Sequence, residues 1–466
     1  MNRREFLSSL ALAGACAALP ATARGGASAP SRGRRCILLR GSWQSINIGD
    51  IGHTPGAIEM IRRWMPEARI LLWAGGVERG AKELIERAFP DVQVIPPATG
   101  PDGRLLHAST MLDKEGRPTL PALEKAWEEA DLMLHGSGSD FGARAQLAAF
   151  HRATGKPCGV IGTSVDPISG FGEGRDPEGG TLADLRRRME ALPRDHLGPE
   201  TRRIVEQSAF FFTRETLSLD YLRRQGVRCP VLAFGPDTQF GMTLRDDARG
   251  DAFRSAHGLE DDRYLCIIPR LRYTPYYEIL KRPRNATDSV RDEINARSAE
   301  ADHAKFRDLI VRYVRETGHR VMTCPEMTYQ VGVAKRWVID PLPEDVKKHV
   351  VWRESYWLPD EAASIYAHAQ AVVSLDCHSP IISVVNGTPG FYVRQPTDTC
   401  KGQMYEDVGL GEWMFEVDQT DGEELWRALE PLLNDPARGR AQCAKAMARV
   451  EKAQAGMVDT IRRTLS

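Results

Sequence analysis

Short apolar runs of strand length, each bounded by glycine or proline and followed by a helical pattern, recur along the chain from Cys36 onward. One series occupies 36–39, 70–73, 92–95, 132–134, 160–161, 210–213 and 231–233, with helices expected at 54–64, 81–89 and 216–225. A second occupies 265–269, 321–323, 350–352, 371–375 and 390–393, with helices expected at 301–317 and 360–368. Strands alternating with helices favour parallel pairing through helical crossovers. The pattern therefore predicts an α/β protein of two doubly wound, parallel-sheet, Rossmann-like domains, 36–240 and 251–430, facing a cleft. The polar, turn-rich stretch 236–250 marks the boundary, and a last helix at 436–464 is expected to pack back across the first domain. Two charged segments, 171–195 and 278–305, fit neither series and read as lids or surface excursions.

The 466 residues include 62 Lys+Arg and 63 Asp+Glu, a formal net charge of −1. That balance, without a long basic block, argues against a nucleic-acid or anionic-membrane surface. With 42% hydrophobic and 27% charged residues, the composition is that of a soluble globular chain able to bury a large core. Only the N-terminus departs from this. Arg3-Arg4 precedes Phe6-Leu7, an apolar run at 10–19 and the small-residue end Ala21-Thr22-Ala23. These features predict a twin-arginine-type signal peptide over 1–23 and a linker over 24–35. An ordinary secretory signal is the other reading. The run is shorter than the about 20 residues a bilayer span needs. Leu12-Ala13-Gly14-Ala15-Cys16 has one residue too many for lipid attachment. The mature chain is expected in the periplasm, delivered by the twin-arginine machinery, with no integral membrane span.

Of nine cysteines, all but Cys16 lie beyond that signal. Cys158 and Cys266 sit inside apolar runs, where a thiol behaves as a small core hydrophobe. The absence of Cys-x-x-Cys removes the main signal for a zinc ribbon or a thioredoxin-like site. Export permits a disulfide, and Cys377 with Cys400 is the first pair to test.

The chemistry-bearing residues stand at strand ends. Asn47-Ile48-Gly49-Asp50 follows the first strand, where Asp50 either meets a sugar hydroxyl or caps a nearby helix. His135-Gly136-Ser137-Gly138-Ser139-Asp140-Phe141-Gly142 follows the run at 132–134. Its glycines admit a ligand to the backbone or make a tight packing turn, and their spacing is not the dinucleotide fingerprint. Arg214, in Thr213-Arg214-Glu215, can fork onto a carboxylate or phosphate or form an internal ion pair. Arg270 follows the strand at 265–269, and Lys401 lies in the loop after 390–393. His378 stands where the strand 371–375 meets a helix, as a structural or a catalytic histidine.

Taken in order, Asn47-Ile48-Gly49-Asp50, the turn at Gly136, Thr213-Arg214-Glu215 with Ser218, Pro236-Asp237, Glu361, His378, Gly387-Thr388-Pro389, and Lys401 ahead of Gly409-Leu410 resemble the polysaccharide pyruvyl transferase family. The resemblance runs from about Arg35 to Asp418. It implies a GT-B-like two-domain fold and transfer of the pyruvyl group of phosphoenolpyruvate to a glycan sugar as a ketal, with release of phosphate. It also implies Arg214 and His378 near the donor. A donor carrying carboxylate and phosphate needs fixed cations, for which Arg214, Arg270 and Lys401 are the candidates, beside the turn Gly136, Ser137, Gly138. The enol carbon takes a proton while a hydroxyl attacks, so His378 is expected as the acid and Asp50 as the base. Asn47 and Glu361 are expected at the acceptor. The chain departs at Asp376, two residues before His378, where the family typically carries arginine. An anion there repels an anionic donor unless neighbours neutralise it.

Export separates the chain from cytoplasmic phosphoenolpyruvate, which keeps two other readings open. One is a non-catalytic carbohydrate-binding or envelope-assembly protein on the same fold. The other is a GT-B glycosyltransferase using a nucleotide-sugar. No Gly-x-Ser-x-Gly elbow stands at a strand end, and His-Glu-x-x-His and the nicotinamide fingerprint are missing, so no bound cofactor or metal is expected.

Overall fold

The apolar runs pair as two wholly parallel sheets in a computed structural model that describes residues 34–97, 99 and 111–466. The first sheet holds β1 (Cys36–Gly41), β2 (Arg69–Ala74), β3 (Gln93–Ile95), β4 (Leu132–His135), β5 (Cys158–Thr163), β6 (Phe210–Thr213) and β7 (Leu232–Phe234), in the order 3-2-1-4-5-6-7. The second holds β8 (Tyr264–Ile268), β9 (Arg320–Thr323), β10 (Val350–Trp352), β11 (Ala371–Ser374), β12 (Gly390–Arg394) and β13 (Met414–Glu416), in the order 10-9-8-11-12-13. Helices cover both faces of each sheet, so the central strands β1, β4, β5, β8 and β11 are buried along their whole length. Such strands read as continuous apolar runs rather than alternating ones. The edge strand β13, only partly buried, lacks that signature and was not expected.

The first helix, Ile48–Trp64, begins six residues earlier than its apolar pattern indicates. Asn47 caps it, with Oδ1 accepting from the Gly49 amide at 2.7 Å. Asp50 therefore lies in the first helical turn and not in a loop. The weak pattern has a packing cause. Gly49, Gly52 and Gly56 let this helix press against the second half of the chain, where a Cβ at Gly49 would overlap the His378 ring and one at Gly56 the Thr238 carbonyl. The Ile48 amide donates to the Glu326 carbonyl at 2.9 Å, and Ile48 packs with Tyr264, Ile268 and Met322 of the second sheet.

The two charged segments are ordered structure. Most of 278–305 is the first half of a 32-residue helix, Ala286–Thr317, opened by an Asn285/Asp288 capping box. Its polar residues are paired, as in Arg282–Asp288 at 2.7 Å. The segment 171–195 carries the helix Leu182–Ala191 and reaches the second sheet. Arg394 Nη1 donates to the Gly180 carbonyl at 2.8 Å, and the Leu182 amide donates to Glu416 at 2.6 Å. The final helix, Pro436–Thr464, spans both halves: Cys443, Ala446 and Val450 join the second core, while Met457, Val458 and Ile461 pack against β1 and β6.

The expected signal, 1–23, lies outside the described residues, as does the linker up to residue 33. Among the described residues no helix is long and apolar enough to cross a membrane. Cys377 and Cys400 are free, buried thiols, so the bridge between them is not formed. Each sulfur is engaged locally, Cys377 beside His378 Nδ1 at 3.4 Å and Cys400 donating to Glu215 at 3.2 Å.

Two glycine substitutions separate packing from propensity. Gly56→Ala is expected to cost about 1–3 kcal/mol by overpacking. Gly456→Ala, on an exposed helical position with no atom near its Cβ, is expected to stabilise by up to about 1 kcal/mol. Urea denaturation of both variants checks the contrast.

Candidate functional site

Doubly wound sheets bind ligands beyond the carboxyl ends of their strands, where the strand order reverses. Here the reversals fall between β1 and β4 and between β8 and β11. The first places Arg40, Trp43 and Gly138 at the cleft; the second places Arg270, Asp376 and His378 there.

A buried polar network joins the two halves. Asp237 Oδ2 accepts from Arg214 Nη1 at 2.8 Å and lies 3.2 Å from His53 Nε2, and all three side chains are inaccessible to solvent. Burial disfavours the Asp237 carboxylate, but His53 and Arg214 outweigh it and hold its pKa far below the ordinary range. The His53 ring meets His378 edge-on, with centroids 5.0 Å apart. His378 Nδ1 is 3.1 Å from Glu326 Oε1, whose other oxygen accepts from the Ser379 amide at 2.6 Å. Burial pulls the imidazolium pKa down, yet the adjacent Cys377 sulfur and Glu326 raise it well above the ordinary histidine value. The buried His378 Nε2 has no protein partner. An imidazole with one nitrogen anchored on a carboxylate and the other free is placed to donate a proton.

The second cationic group is equally paired. Asp398 Oδ1 takes Arg270 Nη1 at 2.6 Å and Lys401 Nζ at 2.9 Å, while Oδ2 accepts from Tyr392. Asp376 is buried, 3.4 Å from Arg270 Nε, and accepts from Gln330 Nε2 at 3.1 Å. Burial raises its pKa, but Arg270, Lys401 and His378 together hold it below the ordinary value. The anion at this position is thus compensated by the chain itself. His53, Asp237 and His378 also bring ligand atoms within 4.8 Å of one another.

The remaining candidates lie elsewhere. Gly136 donates its amide to the Arg40 carbonyl, Gly138 to that of Gly162, and Ser137 Oγ to Gly162 as well, so these three donors are engaged within the sheet. The following helix starts only at Arg144. Asp50, Gly138, Arg40, Trp43, Gln44, Ser139, Asp140 and Gln146 line a cavity of about 410 Å³, to which the second half contributes Tyr276 and Leu280. Gln44 donates its amide to Asp50. Asn47 is committed to its cap, and Glu361 pairs with Arg353 at 2.8 Å and forms no wall of this cavity. Sequence reasoning passed over His53, Glu326 and Asp398. Glu326 and Asp398 do stand shortly after the carboxyl ends of β9 and β12, a positional signal that could have flagged them.

Glu215, next to Arg214, accepts from Ser164, Ser218 and Cys400 in full burial, which pushes its pKa up to about 7. A carboxyl raised in the folded state contributes stability that is complete below its unfolded pKa and is lost as pH rises through the folded one. Between about pH 5 and pH 8, wild type is therefore expected to lose up to about 3 kcal/mol relative to Glu215→Gln. Urea titrations of both proteins at the two pH values measure it.

The fold is similar to that of UDP-GlcNAc 2-epimerase from Neisseria meningitidis bound to UDP-GlcNAc (10% identity, 92% of this chain and 100% of that one, TM-score 0.51). It is similar also to S. aureus MnaA in its structure with UDP (10% identity, 92% of this chain and 96% of that one, TM-score 0.53). At this identity the likeness is one of architecture, and the two facing parallel-sheet lobes make it GT-B-like. A comparison with curated proteins finds no significant match. Residues 77–395, about two thirds of the chain, match the family described as polysaccharide pyruvyl transferase. The protein belongs to the polysaccharide pyruvyl transferase family.

Proposed function

We propose that the protein is an exported group transferase that moves the pyruvyl unit of phosphoenolpyruvate, or of a similar anionic donor, onto a cell-envelope glycan sugar as a ketal. The observation that carries this reading is the Glu326–His378 pair, with Nδ1 held and Nε2 left free in a buried setting. In the reaction a sugar hydroxyl oxygen bonds to the enol carbon that bears the phosphate. Its proton passes to Asp50 and His378 protonates the terminal carbon; attack by a second hydroxyl, whose proton returns to His378, then closes the ketal as phosphate leaves with the proton held on Asp50. Arg214, Arg270 and Lys401 are held by Asp237 and Asp398, so their orientation is fixed before a donor arrives. The apolar N-terminal run with Arg3-Arg4 supports export by the twin-arginine route.

One observation favours a carbohydrate-binding role without catalysis: those same three cations are already paired with carboxylates. Labelled phosphoenolpyruvate incubated with the mature protein and envelope glycans separates the readings. Released phosphate supports the transferase; binding of glycan alone supports the binding protein.

For the transferase, His378→Ala is expected to lower turnover by roughly 10²–10⁴-fold. Unchanged turnover would remove the histidine from the mechanism. Glu326→Gln takes away the charge that raises the imidazolium pKa, so the alkaline limb of the pH–rate profile is expected to move to lower pH.

A further inference from the structure

Among the described residues three arginines are fully buried: Arg40, Arg214 and Arg394. Arg214 pairs with Asp237 and Arg394 with Glu416, but Arg40, only 2% exposed, pairs with no carboxylate. Its Nη1 donates to the carbonyls of Gly41 at 2.8 Å and Trp73 at 3.3 Å, and its Nε has no partner. Its guanidinium carbon lies 4.5 Å from the Trp43 ring centroid. The neighbouring His135 adds no second cation, because burial and Arg40 push that imidazole down to about 3 and leave it neutral. Burial alone pulls Arg40 itself down to about 9. A desolvated cation without a counter-charge is costly to keep, and this one lines the cavity at the β1–β4 reversal.

The other walls of that cavity suit a sugar. Trp43 and Tyr276 contribute aromatic rings, Gln146 a buried amide, and Asp50 and the exposed Asp140 carboxylates that accept hydroxyl protons. A neutral sugar would use these groups and leave Arg40 uncompensated. A bare inorganic anion would meet Arg40 but leave the aromatic faces unused and two carboxylates opposed to it. The cavity's about 410 Å³ falls within the range of small-molecule sites.

We infer that this cavity binds a sugar carrying one acidic group, the acid seated on Arg40, the ring against Trp43 and hydroxyls on Asp50 and Gln146. This deepens the proposed function, resting on its reading of the Asp50 cavity as the acceptor site, and it assigns the acceptor to the acidic sugars. Arg40 and Trp43 lie outside the residues matched by the family, 77–395, while Gly138, Asp140, Gln146 and Tyr276 of the same cavity lie within them.

Calorimetric titration of the mature protein, without donor, with glucuronic acid, glucose 1-phosphate, glucose and inorganic phosphate tests the inference. Either or both acidic sugars are expected to bind more tightly than glucose, the tighter one naming carboxylate or phosphate as the acid. Arg40→Met is expected to weaken them roughly 10- to 100-fold while leaving glucose unchanged. Should that variant misfold, Ser139→Asp adds a charge on the exposed rim and is expected to weaken acidic sugars roughly tenfold. Equal affinity for glucose and the acids, indifference of the acids to the substitution, inorganic phosphate binding as tightly as a sugar acid, or no binding at all would overturn it. Because no donor is present, failure to release phosphate from phosphoenolpyruvate would sink the transferase reading and leave this result standing.

Discussion

The carboxylate of Asp237 is the point on which the cleft is organised. An isolated carboxylate in full burial would be untenable, since its desolvation costs several kcal/mol. It is kept by Arg214 from the end of β6 and His53 from the first helix, while its second oxygen caps the short turn Thr238–Gly241 through the Gln239 amide. That turn is the surface on which Gly56 of the first helix rests. One charge therefore sets the position of the first helix, and with it the approach of Gly49 to His378. Removing Asp237 would leave the Arg214 guanidinium buried without its carboxylate.

The same rule, that buried charge must be matched, divides the cleft into two chemically different regions. Around the β8–β11 reversal every cation has its carboxylate, and the proton inventory is concentrated on the Glu326–His378 pair. Around the β1–β4 reversal the matching is incomplete, with Arg40 stacked on Trp43 and unanswered. A region with balanced charge and a poised proton suits chemistry. One with an unanswered charge beside aromatic faces suits recognition. The segment 171–195 ties the halves together by reaching β12 and β13, so its polar composition reflects a role as a strap across the molecule.

Much of the site was legible because it stands at strand ends. Asp50, Arg214, Arg270, His378 and Lys401 were all singled out as candidates by that logic, and the structure buries the last four beside carboxylates, while Asp50 lines the cavity. Where the reading went astray, the cause is physical. The first helix hid its start because glycines chosen for close packing erase the apolar stripe. The helix Ala286–Thr317 hid its first half because its charges are answered by ion pairs rather than by a core. At the turn of Gly136, two amides and the Ser137 hydroxyl are taken by carbonyls of β1 and β5.

The order of residues by itself determined the two parallel sheets, the strand ends at which chemistry would gather, and the family, because strand and helix periodicities are local and survive in a linear reading. Only the folded chain decided which charges met. Arg214 finds Asp237 across 23 positions, His378 finds Glu326 across 52, and Arg270 finds Asp398 across 128. It also decided that Asp376 would be neutralised and that Arg40 would be buried alone. Pairing in a low-dielectric interior depends on distances of a few ångströms between elements remote in sequence, and no local pattern carries that information.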